Sequence, residues 1–98
     1  MRIYYTETRA PGSTIVEYDV GFRWTVGDIR DVQKQLSRQE MENFGEAVRQ
    51  AHCWKRETAS ENDPVLKQRY LSILLNHLSN ASYWFSVAAS RKQKQEQS

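Results

Sequence analysis

The sequence predicts an α+β fold, with an N-terminal β-hairpin packed on a short helix and a long helical hairpin, and three features carry that reading. Apolar and polar residues alternate from Val16 to Trp24, capping signatures follow at Thr25 and Ser37, and helical periodicity then runs without Gly or Pro from Val65 to Ser90. A chain of 98 residues and 11.5 kDa suits one hydrophobic core. Residues 1–90 are therefore expected to form a single domain and residues 91–98 a basic polar tail. A chain this short buries only about 60–65% of its unfolded surface, so its stability is expected to be modest.

The hairpin is expected over residues 2–24. Arg2 to Thr8 is rich in β-branched and aromatic residues, and Ala10-Pro11-Gly12-Ser13 is turn chemistry. Val16, Tyr18, Val20, Phe22 and Trp24 then alternate with Glu17, Asp19, Gly21 and Arg23, leaving one face to bury. An isolated hairpin is marginal in water, so that face needs the helices. Thr25 and Asp28 have the form of a capping box ahead of Ile29, Val32 and Leu36, which predicts a helix over about 28–36. Ser37 and Glu40 repeat the signature. Met41, Phe44, Ala47, Val48, Ala51 and Trp54 supply the apolar stripe of a second helix over about 38–57.

Asp63 before Pro64 supplies an N-cap followed by the one helical position that tolerates proline. Leu66, Tyr70, Ile73, Leu74, His77, Leu78, Ala81, Trp84, Phe85 and Ala88 then recur every three or four residues, predicting a third helix over 64–90. At 1.5 Å per residue it spans roughly 40 Å, more than a globule of this size needs to cover itself. From Arg91 onward apolar periodicity is lost, and the tail is expected to fray or to remain disordered until bound.

The formal net charge of +2 is too weak to advertise nucleic acid by field alone. The excess sits late, since residues 64–98 carry five basic side chains against one acidic. The single cysteine, Cys53, rules out an internal disulfide, and with no N-terminal apolar run the expected location is a reducing cytoplasm. No apolar stretch approaches the ~20 residues that span a bilayer. The glycines at 12, 21, 27 and 45 are too scattered for a phosphate loop, and His52, Cys53 and His77 lack zinc-ligand spacing. No metal or other cofactor is expected. His52 and Cys53 point about 100° apart on a helix and cannot pair with each other. A Cys53–His77 pair across the helical hairpin is geometrically open, but a buried thiol beside a core histidine is the simpler reading. Glu40, Glu42, Glu46 and Glu57 read as solvated helix faces, and with no catalytic signature the chain is not expected to be an enzyme.

Two binding surfaces remain. Lys55, Arg56, Lys67 and Arg69 flank the helical hairpin and are the candidate nucleic-acid contacts, although the long amphipathic helices do not suit a helix-turn-helix reader. The consecutive rings of Tyr83, Trp84 and Phe85 cover about 200° of the helix, so at least one is expected in solvent. Exposed aromatics beside arginine are what interface centres are made of. Tyr83, Trp84, Val87, Arg91 and Lys92 are accordingly the candidate protein-docking residues; the competing expectation is burial of the rings beneath the hairpin. On the first reading, changing Tyr83 and Arg91 to Ala abolishes partner capture and leaves the melt unchanged. Both X-Pro bonds, Ala10-Pro11 and Asp63-Pro64, fall in predicted turns, where slow isomer exchange suits a host prolyl isomerase. The helix-start position predicts trans at Pro64.

The opening Met1-Arg2-Ile3-Tyr4-Tyr5-Thr6-Glu7-Thr8 and the closing helix from Leu71 to Ser86 (LSILLNHLSNASYWFS), with its Lys/Gln tail, resemble the anti-RecBCD accessory proteins of lambdoid Salmonella phages. The resemblance spans the whole chain and rests on no diagnostic motif, so it transfers no functional residue. It implies a non-catalytic protein of the host cytoplasm that binds the host RecBCD helicase–nuclease through RecC. The effect would be to spare phage DNA ends or redirect them to phage recombination. The alternative from another class is a small accessory factor that binds DNA ends or single-stranded DNA.

Overall fold

The computed structural model describes residues 1–14 and 16–97. It begins with an antiparallel hairpin of β1 (Arg2–Arg9) and β2 (Val16–Arg23), with Arg2 opposite Arg23 and Arg9 opposite Val16. The chain leaves β1 through Pro11 and Gly12; Gly12 has a φ of 78°, and the Ser13 amide donates to the Ala10 carbonyl at 3.0 Å. Proline followed by a positive-φ glycine is the chemistry of a type II turn. Three helices follow: α1 (Val26–Gln35), α2 (Arg38–Ser60) and α3 (Pro64–Gln97). This is the α+β architecture the sequence predicts.

Each helix starts where its side-chain chemistry directs. The Asp28 amide donates to Thr25 Oγ1 at 3.1 Å while the Thr25 amide donates to Asp28 Oδ2 at 2.9 Å. Ser37 and Glu40 repeat the exchange at 3.2 and 2.8 Å. Such caps contribute about 1 kcal/mol each. Because Thr25 is itself the N-cap, α1 starts at Val26, two residues ahead of the expected position. Asp63 Oδ1 accepts from the Val65 amide at 2.9 Å, which starts α3 at Pro64. Both prolines are trans, as no cis bond occurs among the described residues.

The inner face of α3 is a strict seam of Lys67, Leu71, Leu74, Leu78, Ala81, Phe85 and Ala88, spaced alternately by four and three residues. That is the seven-residue repeat of two helices packed along their length. The facing residues of α2 are Phe44, Ala47, Ala51 and Thr58. The core has two halves. Near α1, Val32, Leu36, Phe44, Ala47, Ala81, Phe85 and Ala88 pack together; nearer the α2–α3 corner, Val20 inserts among Ala51, Leu71, Leu74 and Leu78. A run of rings from Phe22 to Trp24 to Phe85 to Phe44, with centroids 5.2–5.7 Å apart, crosses from the hairpin into the first half.

The tail departs from expectation. Residues 91–97 continue α3 instead of fraying, and Ser98 lies outside the described residues. The reason is tertiary: Arg91 and Lys92 are tied to α1 and α2, and the Gln35 side-chain amide donates to Gln95 at 2.9 Å. The result is a rod of 58 × 24 × 17 Å whose 16.2 Å radius of gyration exceeds the ~13 Å of a rounder chain of this length. Among the described residues no helix is long and apolar enough to cross a membrane.

Candidate interaction surface

The five expected docking residues divide between two settings. Arg91 is the centre of a three-helix clasp. Its Nη1 and Nη2 both donate to the Glu40 carboxylate at 2.7 Å, and Nη1 also donates to the Gln35 carbonyl at the end of α1, at 2.9 Å. A bidentate, charge-assisted pair fixes direction as well as distance. Because Glu40 also accepts from the Ser37 amide, one carboxylate holds the start of α2 and the end of α3 together. Its pKa is lowered to about 2, first by the Arg91 hydrogen bonds and next by the Ser37 amide. Lys92 Nζ lies 3.4 Å from Asp31 on α1. The N-terminal amine completes this end, 3.0 Å from Asp28.

Arg91 and Lys92 are thus engaged within the chain. Lys92 is also nine residues from Tyr83, which at 100° per residue places it on the opposite side of α3. The expected patch therefore does not form one surface. Arg91 ties three elements together, so its replacement is expected to lower the melt, and the double change at Tyr83 and Arg91 no longer separates docking from folding.

What remains accessible is Tyr83, 59% exposed, whose ring meets that of half-buried Trp84 edge-on with centroids 5.0 Å apart. Val87 is half-buried against the core, and Phe85 is fully inside. The sequence expectation of at least one solvent-facing ring in this run is met by Tyr83. Beside it, α2 and α3 enclose a shallow groove of about 400 Å³ lined by Asn43, Glu46, Gln50, His77, Asn80, Tyr83 and Trp84, with Ala47 at its floor. The Gln50 side-chain amide donates to Glu46 at 2.9 Å and Arg49 donates to its other oxygen at 2.5 Å. Those bonds, Gln50 first, lower the Glu46 pKa and keep a carboxylate on the groove's edge. A large ring flanked by polar amides is the composition of a protein-contact surface. The α2 side of this groove had no local sequence signal, because its residues belong to the face opposite the apolar stripe.

The basic candidates are scattered. Lys55 and Arg56 are exposed on α2, and Lys55 Nζ lies 5.9 Å from the Tyr4 ring centroid, which Arg23 approaches at 5.2 Å. Arg69 is exposed on α3, whereas Lys67, two residues earlier, is buried in the α3 seam. Lys67 thus stands apart from the exposed Lys55, Arg56 and Arg69, because at a seam position its stem is carried inward by the packing of its neighbours. These four residues form no continuous stripe. Cys53 also departs from expectation, since its thiol is exposed and not a core group. Among the described residues no group of three metal-ligating side chains occurs. No family model, curated protein or solved structure matches the chain.

Proposed function

We propose that this is a non-catalytic docking protein whose contact surface is the α2–α3 groove headed by Tyr83 and Trp84. The partner implied by the resemblance of its two ends is the host RecBCD helicase–nuclease, engaged through RecC in the host cytoplasm. Binding there would inhibit or redirect the nuclease and leave phage DNA ends to phage recombination. The observation that carries the reading is the exposed Tyr83 ring braced on Trp84 beside an open groove. An aromatic already held by a neighbour loses little entropy on burial and so suits the centre of an interface. A host prolyl isomerase is a secondary partner in this reading, since Pro11 and Pro64 are both exposed. The DNA-binding alternative draws less support because Lys55 and Arg56 adjoin one another on α2 while Lys67 is packed in the α3 seam and Arg69 lies exposed on α3, so the four supply no continuous basic stripe.

The test is co-purification and titration with purified host RecBCD, comparing the native chain with Tyr83→Ala. Loss of a central aromatic is expected to weaken binding by about 30-fold while the thermal melt stays in place. Equal affinity of the two proteins would remove the groove as the docking surface. Salt separates the classes. A phosphate-led complex with DNA weakens steeply between about 50 and 200 mM salt, whereas a protein contact of this composition weakens far less.

A further inference from the structure

A second site lies at the opposite end of the rod from the Arg91 clasp. The α3 seam repeats every seven residues through Ala88, Ala81 and Leu74, and the next position in that series is Lys67. Lys67 is only 6% exposed, yet its ammonium has no hydrogen-bond or ion-pair partner among the described residues; since no buried side-chain nitrogen among them lacks a partner, the stem is packed while the ammonium reaches solvent. It helps wall a cavity of about 130 Å³ between the hairpin and the α2–α3 corner. Arg9, Thr14, Tyr18, Asn62 and Gln68 contribute the other polar side chains of that wall. Arg9 likewise has no ion-pair partner among the described residues.

No carboxylate lines the cavity. Of the carboxylates nearby in sequence, Glu61 Oε1 accepts from the Asn62 and Asp63 amides at 3.1 and 3.0 Å and Asp63 Oδ1 accepts from Val65, while Glu7 and Glu17 are exposed on the strands and do not line the cavity. Elsewhere the chain pairs the cations that cross between its helices, Arg91 with Glu40 and Lys92 with Asp31. Here residues bearing two cations, two amides and two hydroxyls line one cavity, with no carboxylate among them.

We infer that this cavity is a binding site for a phosphate dianion, free or as a terminal phosphomonoester. Two positive charges are balanced by one group that carries close to two negative charges at neutral pH and several strong acceptor oxygens. The ammonium of Lys67 supplies charge at the end of a packed stem, and Arg9 closes on the anion from the outer end of β1. A departure from the apolar pattern at one seam position is the kind of local conflict that function retains.

Calorimetric titration of the full chain with inorganic phosphate, against chloride of matched ionic strength, tests this. Saturable one-to-one binding is expected, weakened at least ~10-fold in Lys67→Met, where one charge-assisted contact is lost. Lys67→Met keeps the packed stem and is expected to melt no lower than the native chain in phosphate-free buffer. Arg9→Gln, at an exposed strand end, provides a second variant that retains the fold and is expected to weaken binding as well. A nucleoside monophosphate, with the nucleoside as blank, separates the sources. Tighter binding of the ester assigns the site to a terminal phosphomonoester, and equal or weaker binding assigns it to the free anion. Absence of saturable binding by either, or equal affinity in the native chain and both variants, overturns the inference. Neither result bears on the Tyr83 groove.

Discussion

Where the start of α2 meets the last turns of α3, Arg91 is tied to Glu40 and Gln35, Lys92 to Asp31, and the chain's own amine to Asp28. Where the hairpin overlies the α2–α3 corner, Lys67 and Arg9 face a cavity with no acidic partner. The two ends share one helix and one kind of charge, and differ in whether the fold supplies the counter-charge. The first arrangement costs little desolvation because both partners remain partly wet, and it fixes three helix ends in one geometry. The second leaves the ammonium of Lys67 in contact with solvent beside the cavity with no counter-charge from the fold, where an external anion can supply one. A paired cation is best read as structural, and an unpaired one on a cavity wall as a binding group.

The strongest way to break the comparison is through the ring cluster beneath the clasp. Phe85 packs edge-on against Phe44 and stacks with Trp24, so it bonds α3 to α2 and to the hairpin's exit. Phe85→Ala is expected to cost about 3–5 kcal/mol. Chemical denaturation measures this directly. A loss below about 1 kcal/mol would mean that the cluster collapses around the vacancy and does not hold the paired end together.

Arg91→Ala is expected to have a smaller effect with a distinctive pH dependence. It should lower the melting temperature at neutral pH and loosen α3 beyond residue 90, read as faster amide exchange there. The folded-state pKa of Glu40 is lowered from its ordinary 4.5 to about 2. Stability from this pair is therefore present above the ordinary value and is lost as pH falls toward about 2. The difference between Arg91→Ala and the native chain should be full at neutral pH and close across that window. Asp28, lowered by the Thr25 amide and then by the N-terminal amine, titrates in both proteins and cancels. A difference that persists unchanged at pH about 2 would show that Arg91 acts through its packed stem and not through its charge.

These contrasts also explain which parts of the molecule the sequence revealed. Caps are local chemistry, so Thr25 with Asp28, Ser37 with Glu40 and Asp63 before Pro64 could each be read within four residues of chain. Alternation over Val16 to Trp24 likewise announced the strand that carries Val20 into the core. The face of α3 was ambiguous, because Leu66, Tyr70, Ile73 and His77 recur with the same helical spacing as the true seam. Only the strict seven-residue series through Lys67, Leu74, Ala81 and Ala88 distinguishes the buried row, and a lysine within it reads as an interruption. Arg91 and Glu40 lie 51 residues apart, so no local pattern links them, and the helical tail that depends on their pairing was equally hidden. Tyr83 was legible as a solvent-facing ring because three consecutive aromatics cannot share one helix face; the α2 half of its groove was not.

Lys92 provides the smallest expected effect and the finest test of the division. Its ammonium is 3.4 Å from Asp31 with 49% of the side chain in water, which places the pair among exposed ion pairs worth ~0–1 kcal/mol. Lys92→Ala should therefore shift the melt only slightly, and less still at high salt, where exposed charges are screened. It should leave partner binding untouched, because Lys92 sits half a helical turn away from Tyr83 and faces α1. Weakened capture by Lys92→Ala with an unchanged melt would extend the docking surface around α3 to the α1 side. Pairing within the chain would then no longer mark a cation as structural, and an unpartnered Lys67 would lose the contrast that singles it out.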